Sequence, residues 1–250
     1  MYLYSIPGRL RLLKKAAALA GLVLVALLTG CTSLGAHDAT ALQRTDFGPP
    51  DTLRICVLLD DEDVSQTEAA QLMQVVNKEL SLYNLRVDVP WYQHWHRPGH
   101  GGMKIIENLA GRKLTPPCDR MMALVGRDLG DFLIGLLGFE ALGSVDTVTH
   151  TRGYVFAELE SINQIITPPS AAAVHETYHL LGCEHALTMS GCYERIAALK
   201  AAAVLNRQNG NDFFPTYTLQ GQLILRRDEV DLRESMALRV YQARLPVGEP

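Results

Sequence analysis

The spacing of apolar residues predicts that strands and helices alternate along most of the chain. Residues 52–59 form an apolar run typical of a buried strand, and residues 85–89 predict a second strand. Between them, Ser65 and Glu68 form a capping box, after which apolar residues keep helical spacing to about Leu82. The order strand, helix, strand predicts a parallel pair of strands joined by a crossover helix.

The middle of the chain is less regular. Residues 103–110 predict a short helix, and residues 121–125 and 153–159 predict two further strands. Residues 128–142 are apolar but interrupted by glycines, and their pattern assigns them to no element.

The last third of the chain predicts mainly helices. Ser170 is a good N-cap for a helix over residues 171–181. Two more helices are predicted over residues 194–205 and 228–243, with a strand over 217–225 between them. The sequence therefore predicts an α/β (α+β) fold with a mixed sheet and a mostly helical C-terminal subdomain.

The first 30 residues have the organisation of an export signal. Four basic side chains lie between residues 9 and 15, and an apolar run of 13 residues follows over 16–28. That run is short for a membrane-spanning helix, which needs roughly 20 apolar residues. Its length suits the apolar part of a signal peptide, and the small residues Thr29 and Gly30 follow it.

Residues 28–31, Leu-Thr-Gly-Cys, resemble the lipobox of bacterial lipoproteins. The resemblance implies cleavage before Cys31 and a lipid on Cys31 that anchors the chain to a membrane. In the alternative, the signal is a plain cleavable one and Cys31 is incidental. Thr32 is not an aspartate, which in the sorting rule of Gram-negative lipoproteins favours the outer membrane. The implied location is the bacterial cell envelope, facing the periplasm or the cell surface.

The segment that follows the lipobox predicts a tether. Residues 32–50 lack periodicity and end in Gly-Pro-Pro, so they are expected to link the lipidated Cys31 to a domain over residues 51–250. No propeptide is evident, because these 19 residues are short for one and contain no cysteine that could block a metal site.

Composition narrows the class of protein. Hydrophobic residues make up 48% and charged residues 20%, which is ordinary for a globular protein with a sizeable core. Removal of residues 1–30 takes away four basic and no acidic side chains, so the formal net charge changes from −4 to −8. This charge argues against a general nucleic-acid-binding function, which normally requires a basic face.

The most specific pattern is HETYHLLGCEH over residues 175–185, which fits HExxHxxGxxH at every fixed position. His175 and His179 are four residues apart, so a helix places both imidazoles on one face. Gly182 allows the chain to leave the helix in a left-handed turn, which can bring His185 back to the same ion. Three neutral imidazoles would leave the fourth coordination position of Zn²⁺ open for water. This arrangement is typical of a catalytic zinc site.

Glu176 follows the first of these ligands and supplies the acid–base group. A bound zinc ion lowers the pKa of its water ligand and polarises the substrate carbonyl group. Glu176 can take the proton from this water and pass it to the leaving amine. One zinc ion and one carboxylate therefore suffice for hydrolysis of a peptide bond.

The pattern resembles that of the metzincin clan of zinc metallopeptidases, which includes matrixins, astacins and archaemetzincins. The firm match covers residues 175–185. The resemblance implies a mixed twisted sheet, an edge strand that binds an extended peptide, and then the active-site helix, here about residues 170–182. Residues 153–159 are expected to form the edge strand, and residues 121–125 are expected to lie deeper in the sheet.

The clan also has a methionine turn below the metal. Met189 is the nearest candidate, although only three residues separate it from His185, and Met236 is more distant. Tyr193 follows this loop, and some relatives use a tyrosine there as a fifth ligand or an oxyanion donor. The alternatives are an ordinary loop methionine and an ordinary core or surface tyrosine.

Four cysteines remain after Cys31. In an exported protein an even number suggests two disulfides, for which three pairings are possible. Archaemetzincins carry cysteines near this point for a structural zinc ion, but this chain lacks their later CxxC. We therefore favour a Cys183–Cys192 disulfide, which would enclose His185. The remaining pair, Cys56 and Cys118, would join the first strand to the segment before a later one, or stay reduced in the core.

Other histidines carry less information. His94, His96 and His100 lie in a glycine-rich stretch with two tryptophans, and they predict either a second metal site or a solvated loop at the cleft rim. His37 and His150 support no functional hypothesis from their position in the sequence.

The sequence thus predicts a zinc endopeptidase with one catalytic Zn²⁺, acting on protein or peptide substrates in the envelope or outside the cell. A second hypothesis is hydrolysis of a peptide amide in the cell wall by the same chemistry. A third is an assembly lipoprotein with a structural zinc ion and no activity, against which the intact Glu176 argues.

Overall fold

The computed structural model describes residues 34–60, 63–99, 101–126, 142–157 and 167–243. The predicted signal peptide, Cys31 and the unassigned residues 128–141 lie outside these ranges. His100 and the last two residues of the strand predicted over 153–159 also lie outside them.

Within the described ranges, the centre of the fold is a six-stranded, mostly parallel sheet. One side of β1 (Asp51–Asp60) pairs in parallel with β4 (Arg120–Val125). The other side pairs with β2 (Leu85–Asp88) near its start and with β3 (Tyr92–Trp95) near its end. β3 has no counterpart among the predicted elements, because tryptophans, histidines and glycines hide its short alternation.

On the far side of the sheet, the edge strand is not the one predicted from the sequence. β6 (Arg152–Phe156) pairs in parallel with β4 and antiparallel with β5 (Gly143–Val145). The strand predicted over 153–159 is therefore internal, and β5 is the edge strand of this side. β5 was not predicted because three residues, two of them small, are too short to show a strand period. The deeper position expected for residues 121–125 is confirmed.

Six α-helices belong to the described part of the chain. They are α1 (Ala39–Arg44), α2 (Gln66–Leu80), α3 (Gly102–Ala110), α4 (Pro169–Leu180), α5 (Ser190–Gln208) and α6 (Arg227–Gln242). A 3₁₀ turn, Ser81–Tyr83, follows α2. None of the helices in these ranges has the length and apolar character needed to cross a membrane.

Apolar side chains of β1 alternate between two cores. Ile55 and Val57 face the core that includes side chains of α2, α4 and α5, whereas Cys56 and Leu58 face the core that includes side chains of α3 and α6. This alternation follows from the period of two residues in a strand. The sheet therefore lies between helices on both faces, which explains why its parallel strands read as continuous apolar runs.

The predicted strand–helix–strand unit is confirmed by β1, α2 and β2. The Ser65 hydroxyl accepts a bond from the Glu68 N–H at 3.2 Å, and the Glu68 carboxylate accepts one from the Ser65 N–H at 3.0 Å. This capping box satisfies two N–H groups that the helix itself leaves without partners.

The start of α4 differs from the prediction. The helix begins at Pro169 with Pro168 as its N-cap, and no side chain caps it, so Ser170 is not the N-cap. Proline suits the first helical position because its φ is preset and the N–H it lacks would have no partner in the helix.

The C-terminal elements were predicted with mixed success. α6 matches the helix predicted over 228–243, and α5 begins four residues earlier than predicted, because small polar residues at its start hide the helical spacing. The strand predicted over 217–225 is instead a hairpin of β7 (Thr216–Tyr217) and β8 (Leu223–Ile224). Gly221, with φ +75°, makes the turn between them.

Residues 34–47 differ from the tether predicted over 32–50. They include α1, whose N-cap Asp38 accepts the N–H groups of Thr40 and Ala41. Leu34 and Phe47 are buried in the larger core. Their apolar partners lie far along the chain, so local periodicity does not show that the segment packs on the domain.

Both favoured disulfides are present. Cys56 on β1 is joined to Cys118 before β4, and Cys183 is joined to Cys192 on α5. The alternative in which Cys56 and Cys118 stay reduced is therefore wrong.

Candidate metal centre

The end of α4 brings the motif histidines together. The N–H of Cys183 bonds to the carbonyl of Tyr178, and the N–H of Gly182 bonds to that of His179. This is a Schellman motif, in which Gly182 takes φ +73°. The left-handed turn predicted at Gly182 is confirmed, and it reverses the chain so that His185 returns toward the helix.

The three imidazoles of His175, His179 and His185 form a nearly equilateral triangle. Their ring centroids are 5.0, 5.0 and 4.9 Å apart. Each offers one nitrogen, and these nitrogens all lie within 4.8 Å of one another. An all-imidazole set of three fits Zn²⁺, which binds such nitrogens at about 2.0–2.1 Å.

The surroundings of His179 favour a neutral imidazole with one defined tautomer, the form that binds a metal ion. Its Nδ1 lies 2.9 Å from the Cys183 carbonyl oxygen, which can only accept a hydrogen bond, so Nδ1 carries the proton. Nε2 is then the nitrogen with a lone pair. Burial, followed by the charges of His175 and His185, lowers the pKa of His179 to about 4.

Glu176 lies in the wall of the same cavity. Its side chain is 6% exposed, and burial raises the pKa of its carboxyl to about 8. A carboxyl group placed beside three histidines in one cavity is a candidate general acid–base group. Gly143 of the edge strand packs directly against this side chain.

A cavity of about 560 Å³ opens in front of the histidines. Besides the motif residues, its lining includes β5 and the turn that follows it, together with Thr167 and Ala172. Leu142, Val145 and Ala172 supply apolar surface, and Thr147 and His150 supply polar groups. A cleft of this size that combines apolar walls with a few polar groups is typical of a ligand-binding site.

His150 lines the cavity, although its position in the sequence supported no functional hypothesis. It lies in the turn between β5 and β6, and its φ of +54° is unusual for a residue with a side chain. Its Nδ1 lies 3.0 Å from the Tyr217 carbonyl oxygen, to which it donates. This backbone conformation depends on the tertiary structure and has no signature in the local sequence.

A buried polar network fixes the turn that carries His150. Asp146 accepts the N–H groups of Thr149, Thr151 and Arg152 at 2.7 to 2.9 Å. Burial acts to raise the pKa of Asp146, but hydrogen bonds, first that with Glu234, lower it below its ordinary value. The turn therefore closes around an ionised carboxylate.

Helix α6 holds this network from the other side. Glu234 is buried and accepts the Thr149 hydroxyl at 2.6 Å. Burial and the charge of Asp146 raise the pKa of Glu234 to about 9, so the pair shares one proton at neutral pH. Asp231, one turn before Glu234, lies 2.8 Å from the buried Arg152 guanidinium.

Two arginines support the end of α4. Arg120 is fully buried and donates to the carbonyl oxygens of Leu180 and Pro215 at 2.7 and 2.6 Å. Burial lowers the pKa of Arg120 to about 10, so the guanidinium stays charged at neutral pH. Arg195 donates to the Gly182 carbonyl and forms an ion pair with Glu184 at 2.8 Å.

The remaining predicted site residues lie away from the cavity lining. Met189 is 1% exposed in the larger core and stays a candidate for the methionine turn, whereas Met236 is 59% exposed on α6. Tyr193 is fully buried beside Phe47 and Tyr83, and its hydroxyl lies 2.9 Å from His37 Nδ1. That placement favours the core-tyrosine alternative over an oxyanion donor.

The second histidine group is not assembled into a metal site in the described part of the chain. His94 and His96 are both exposed, and the His175, His179 and His185 set alone brings three or more ligand groups together there. A solvated rim fits these two residues better than a second ion.

No protein-family model matches the chain, and no curated protein matches it. Among solved structures, the chain is similar to the archaemetzincin from Methanopyrus kandleri at 12% sequence identity. That likeness covers 62% of this chain and 96% of the other, with a TM-score of 0.39. Functional interpretation therefore rests on the geometry of the site itself.

Proposed function

We propose that this protein is a zinc-dependent endopeptidase that hydrolyses peptide bonds of envelope or extracellular proteins. The observation that carries the proposal is the convergence of His175, His179 and His185 beside the buried Glu176 in one cavity. In a structural zinc site a fourth protein ligand completes the coordination of the ion, whereas these three imidazoles line an open cleft.

The residues divide the chemical work between them. A zinc ion held by the three imidazoles would supply Lewis-acid activation of water and of the substrate carbonyl. Glu176 takes the proton of the attacking water and delivers it to the leaving amine nitrogen. A C–O bond forms, the C–N bond breaks, and Glu176 ends in the protonation state in which it began.

The edge strand β5 is the proposed docking site for the substrate backbone. The Phe156 N–H bonds to the Leu142 carbonyl, and the Asp146 N–H bonds to the Arg152 carbonyl. Antiparallel alternation then directs the main-chain groups of Gly143 and Val145 away from β6. An extended peptide can pair with these groups, and Gly143 would hold it next to Glu176.

We also propose that a lipid on Cys31 anchors the enzyme in the bacterial envelope, at the outer membrane if Thr32 acts as a sorting signal. Leu34, buried in the domain, follows Cys31 by three residues, a span of at most about 11 Å in an extended chain. The lipid would therefore keep the metal site close to the membrane. The two disulfides suit an oxidising compartment.

The test of the activity uses the full chain, purified in detergent and loaded with zinc, on a broad peptide library. We expect cleavage that a chelator abolishes and zinc restores. Glu176→Gln should lower the cleavage rate by at least about a thousandfold, and metal analysis should still find one zinc ion per chain. Glu194→Gln, at an exposed position on α5, is the matched control and should cleave normally.

The other hypotheses correspond to other outcomes of this experiment. Turnover of cell-wall peptide amides without cleavage of any ordinary peptide would favour the cell-wall amide hydrolase. One bound zinc ion without turnover of any amide would reject the enzyme and favour the assembly lipoprotein. Failure to bind zinc at all would reject the metal site.

The anchor has a separate test. Cys31→Ala should move the protein from the membrane fraction to the soluble fraction, and the mature wild-type chain should carry the mass of a lipid. A wild-type protein without added mass would leave only a cleaved signal peptide.

A further inference from the structure

Residues 34–38, here called the strap, pair with the loop that carries the third histidine. The Ala186 N–H donates to the Leu34 carbonyl at 3.0 Å, and the Met189 N–H donates to the Ala36 carbonyl at 2.9 Å. In return, the Ala36 N–H donates to the Leu187 carbonyl at 3.0 Å. The strap thus lies beside residues 186–189 as a short parallel bridge.

The approach between strap and loop is close enough to require glycine. A Cβ at Gly35 would stand 2.5 Å from the Ala186 carbonyl oxygen and 3.0 Å from the Thr188 carbonyl carbon. Both atoms belong to the backbone and cannot rotate away. Any larger residue at position 35 therefore pushes the strap and the loop apart.

Side chains hold the strap to the rest of the domain. Leu34 is 3% exposed in the larger core. His37 Nδ1 lies 2.9 Å from the Tyr193 hydroxyl, and Asp38 accepts the Ser190 hydroxyl at 3.3 Å. Both partners lie on α5, which follows the loop, so the strap connects the core, the loop and the next helix.

His185 is itself exposed, so packing around its own side chain does little to hold it. Upstream, the Schellman turn and the Cys183–Cys192 disulfide fix the chain two residues before His185. Downstream, the nearest hydrogen bonds in the described structure join this loop to the strap: the Ala186 N–H donates to the Leu34 carbonyl, and the Leu187 carbonyl accepts from the Ala36 N–H. The chain is thus anchored on both sides of His185, by the disulfide before it and by the strap after it.

We propose that the strap is a positioning element of the metal centre, which holds His185 at the ion by pairing with residues 186–189. This inference rests on the proposed zinc site and adds the N-terminal segment to its supporting shell. Outer residues that orient metal ligands contribute about 10- to 100-fold to metal affinity. The segment after the lipid attachment point thus belongs to the site rather than to a linker.

The test measures zinc affinity of the full chain by competition with a chromophoric chelator. Gly35→Val should weaken zinc binding about tenfold or more. Val76→Ala, a cavity variant in the core contributed by α2, serves as a stability-matched control and should change zinc affinity less than about twofold while lowering the thermal midpoint. Leu34→Ala, which loosens the strap without a clash, should give an intermediate loss.

Amide hydrogen exchange adds a readout that does not depend on the metal. The Ala186 and Met189 amides should lose protection in Gly35→Val but keep it in Val76→Ala. Loss of that protection with unchanged zinc affinity in both strap variants would overturn the proposal, while the zinc site would stand. Absence of zinc binding by the wild-type chain would overturn the zinc site and the strap's role together.

Discussion

Gly143 on the edge strand and Glu176 on helix α4 are in direct contact, with no room for a side chain between them. A Cβ at position 143 would stand 2.6 Å from Glu176 Cγ and 2.9 Å from its Cδ. The Tyr154 carbonyl oxygen would be 2.7 Å away on the neighbouring strand. The edge strand thus forms the wall that fixes where the Glu176 carboxyl lies in the cavity.

Gly143→Ala should therefore impair catalysis without loss of the metal. The added methyl group displaces either Glu176 or β5, and a misplacement of about 1 Å costs about 100-fold in rate. The measurement is kcat/KM together with the zinc content. Gly191→Ala, where a Cβ meets nothing within 4 Å, is the matched control and should behave as wild type. Unchanged activity in Gly143→Ala would show that this contact is irrelevant to catalysis.

His150 is expected to contribute to substrate binding. Its Nδ1 is engaged by the Tyr217 carbonyl, and the ring lines the cavity, so its other nitrogen can accept an N–H of the substrate. His150→Asn, which tolerates the φ of +54°, should raise KM about tenfold and leave zinc affinity within about twofold. His96→Asn, at an exposed histidine, is the control. An unaltered KM for His150→Asn would remove His150 from the binding site.

The two disulfides should differ in what they support. Replacement of both Cys183 and Cys192 by alanine should weaken zinc binding about tenfold, because the Cys183 carbonyl orients His179. The Cys56–Cys118 disulfide closes no loop around a proposed zinc ligand. The same replacement at Cys56 and Cys118 should therefore leave the zinc affinity unchanged. It should cost more stability, about 4 against about 3 kcal/mol, because these two cysteines are 62 positions apart in the sequence and the other two only 9.

Zinc titration and denaturant unfolding of the two double variants check this difference. Equal zinc affinities in both would mean that the short disulfide plays no part at the metal site.

The carboxyl pair between Asp146 and Glu234 predicts a pH dependence of stability. The folded pKa of Glu234 is raised from 4.5 to about 9, so the unfolded chain loses this proton first as the pH rises. The contribution of Glu234 is fully present below pH 4.5 and is lost as the pH rises toward 9. Glu234→Gln keeps a donor for Asp146 and an acceptor for Thr149, and its stability should fall less over this range.

The measurement is the free energy of unfolding from denaturant titrations at several pH values between 4.5 and 9. The wild type and Glu234→Gln are compared, since all other titrating groups are common to both. Parallel curves for the two proteins would contradict the shared proton.

Local features of the fold were predictable because their causes are close in sequence. The capping box at Ser65, the crossover between β1 and β2, and the left-handed turn at Gly182 each depend on residues within a few positions. Residues four apart on a helix share a face wherever that helix lies, so the pairing of His175 with His179 followed from spacing alone.

Features that depend on distant partners were missed or misplaced. β5 is an edge strand only because β6 separates it from β4, which no property of residues 143–145 reveals. Residues 34–38 contain no periodic signal, and their partners lie about 150 positions later in the chain. His150 acquires its place from Tyr217 and from the network beneath its turn.

By itself, the sequence predicted the candidate metal ligands, the candidate acid–base residue and an export signal, and it determined the parity of the cysteines, because residue type and short spacing define each of them. The tertiary structure alone decided which strand borders Glu176, which groups line the cavity and which segment pairs with the loop after His185. Those relationships join segments far apart in the chain, and close packing, rather than local conformational preference, determines which segments meet.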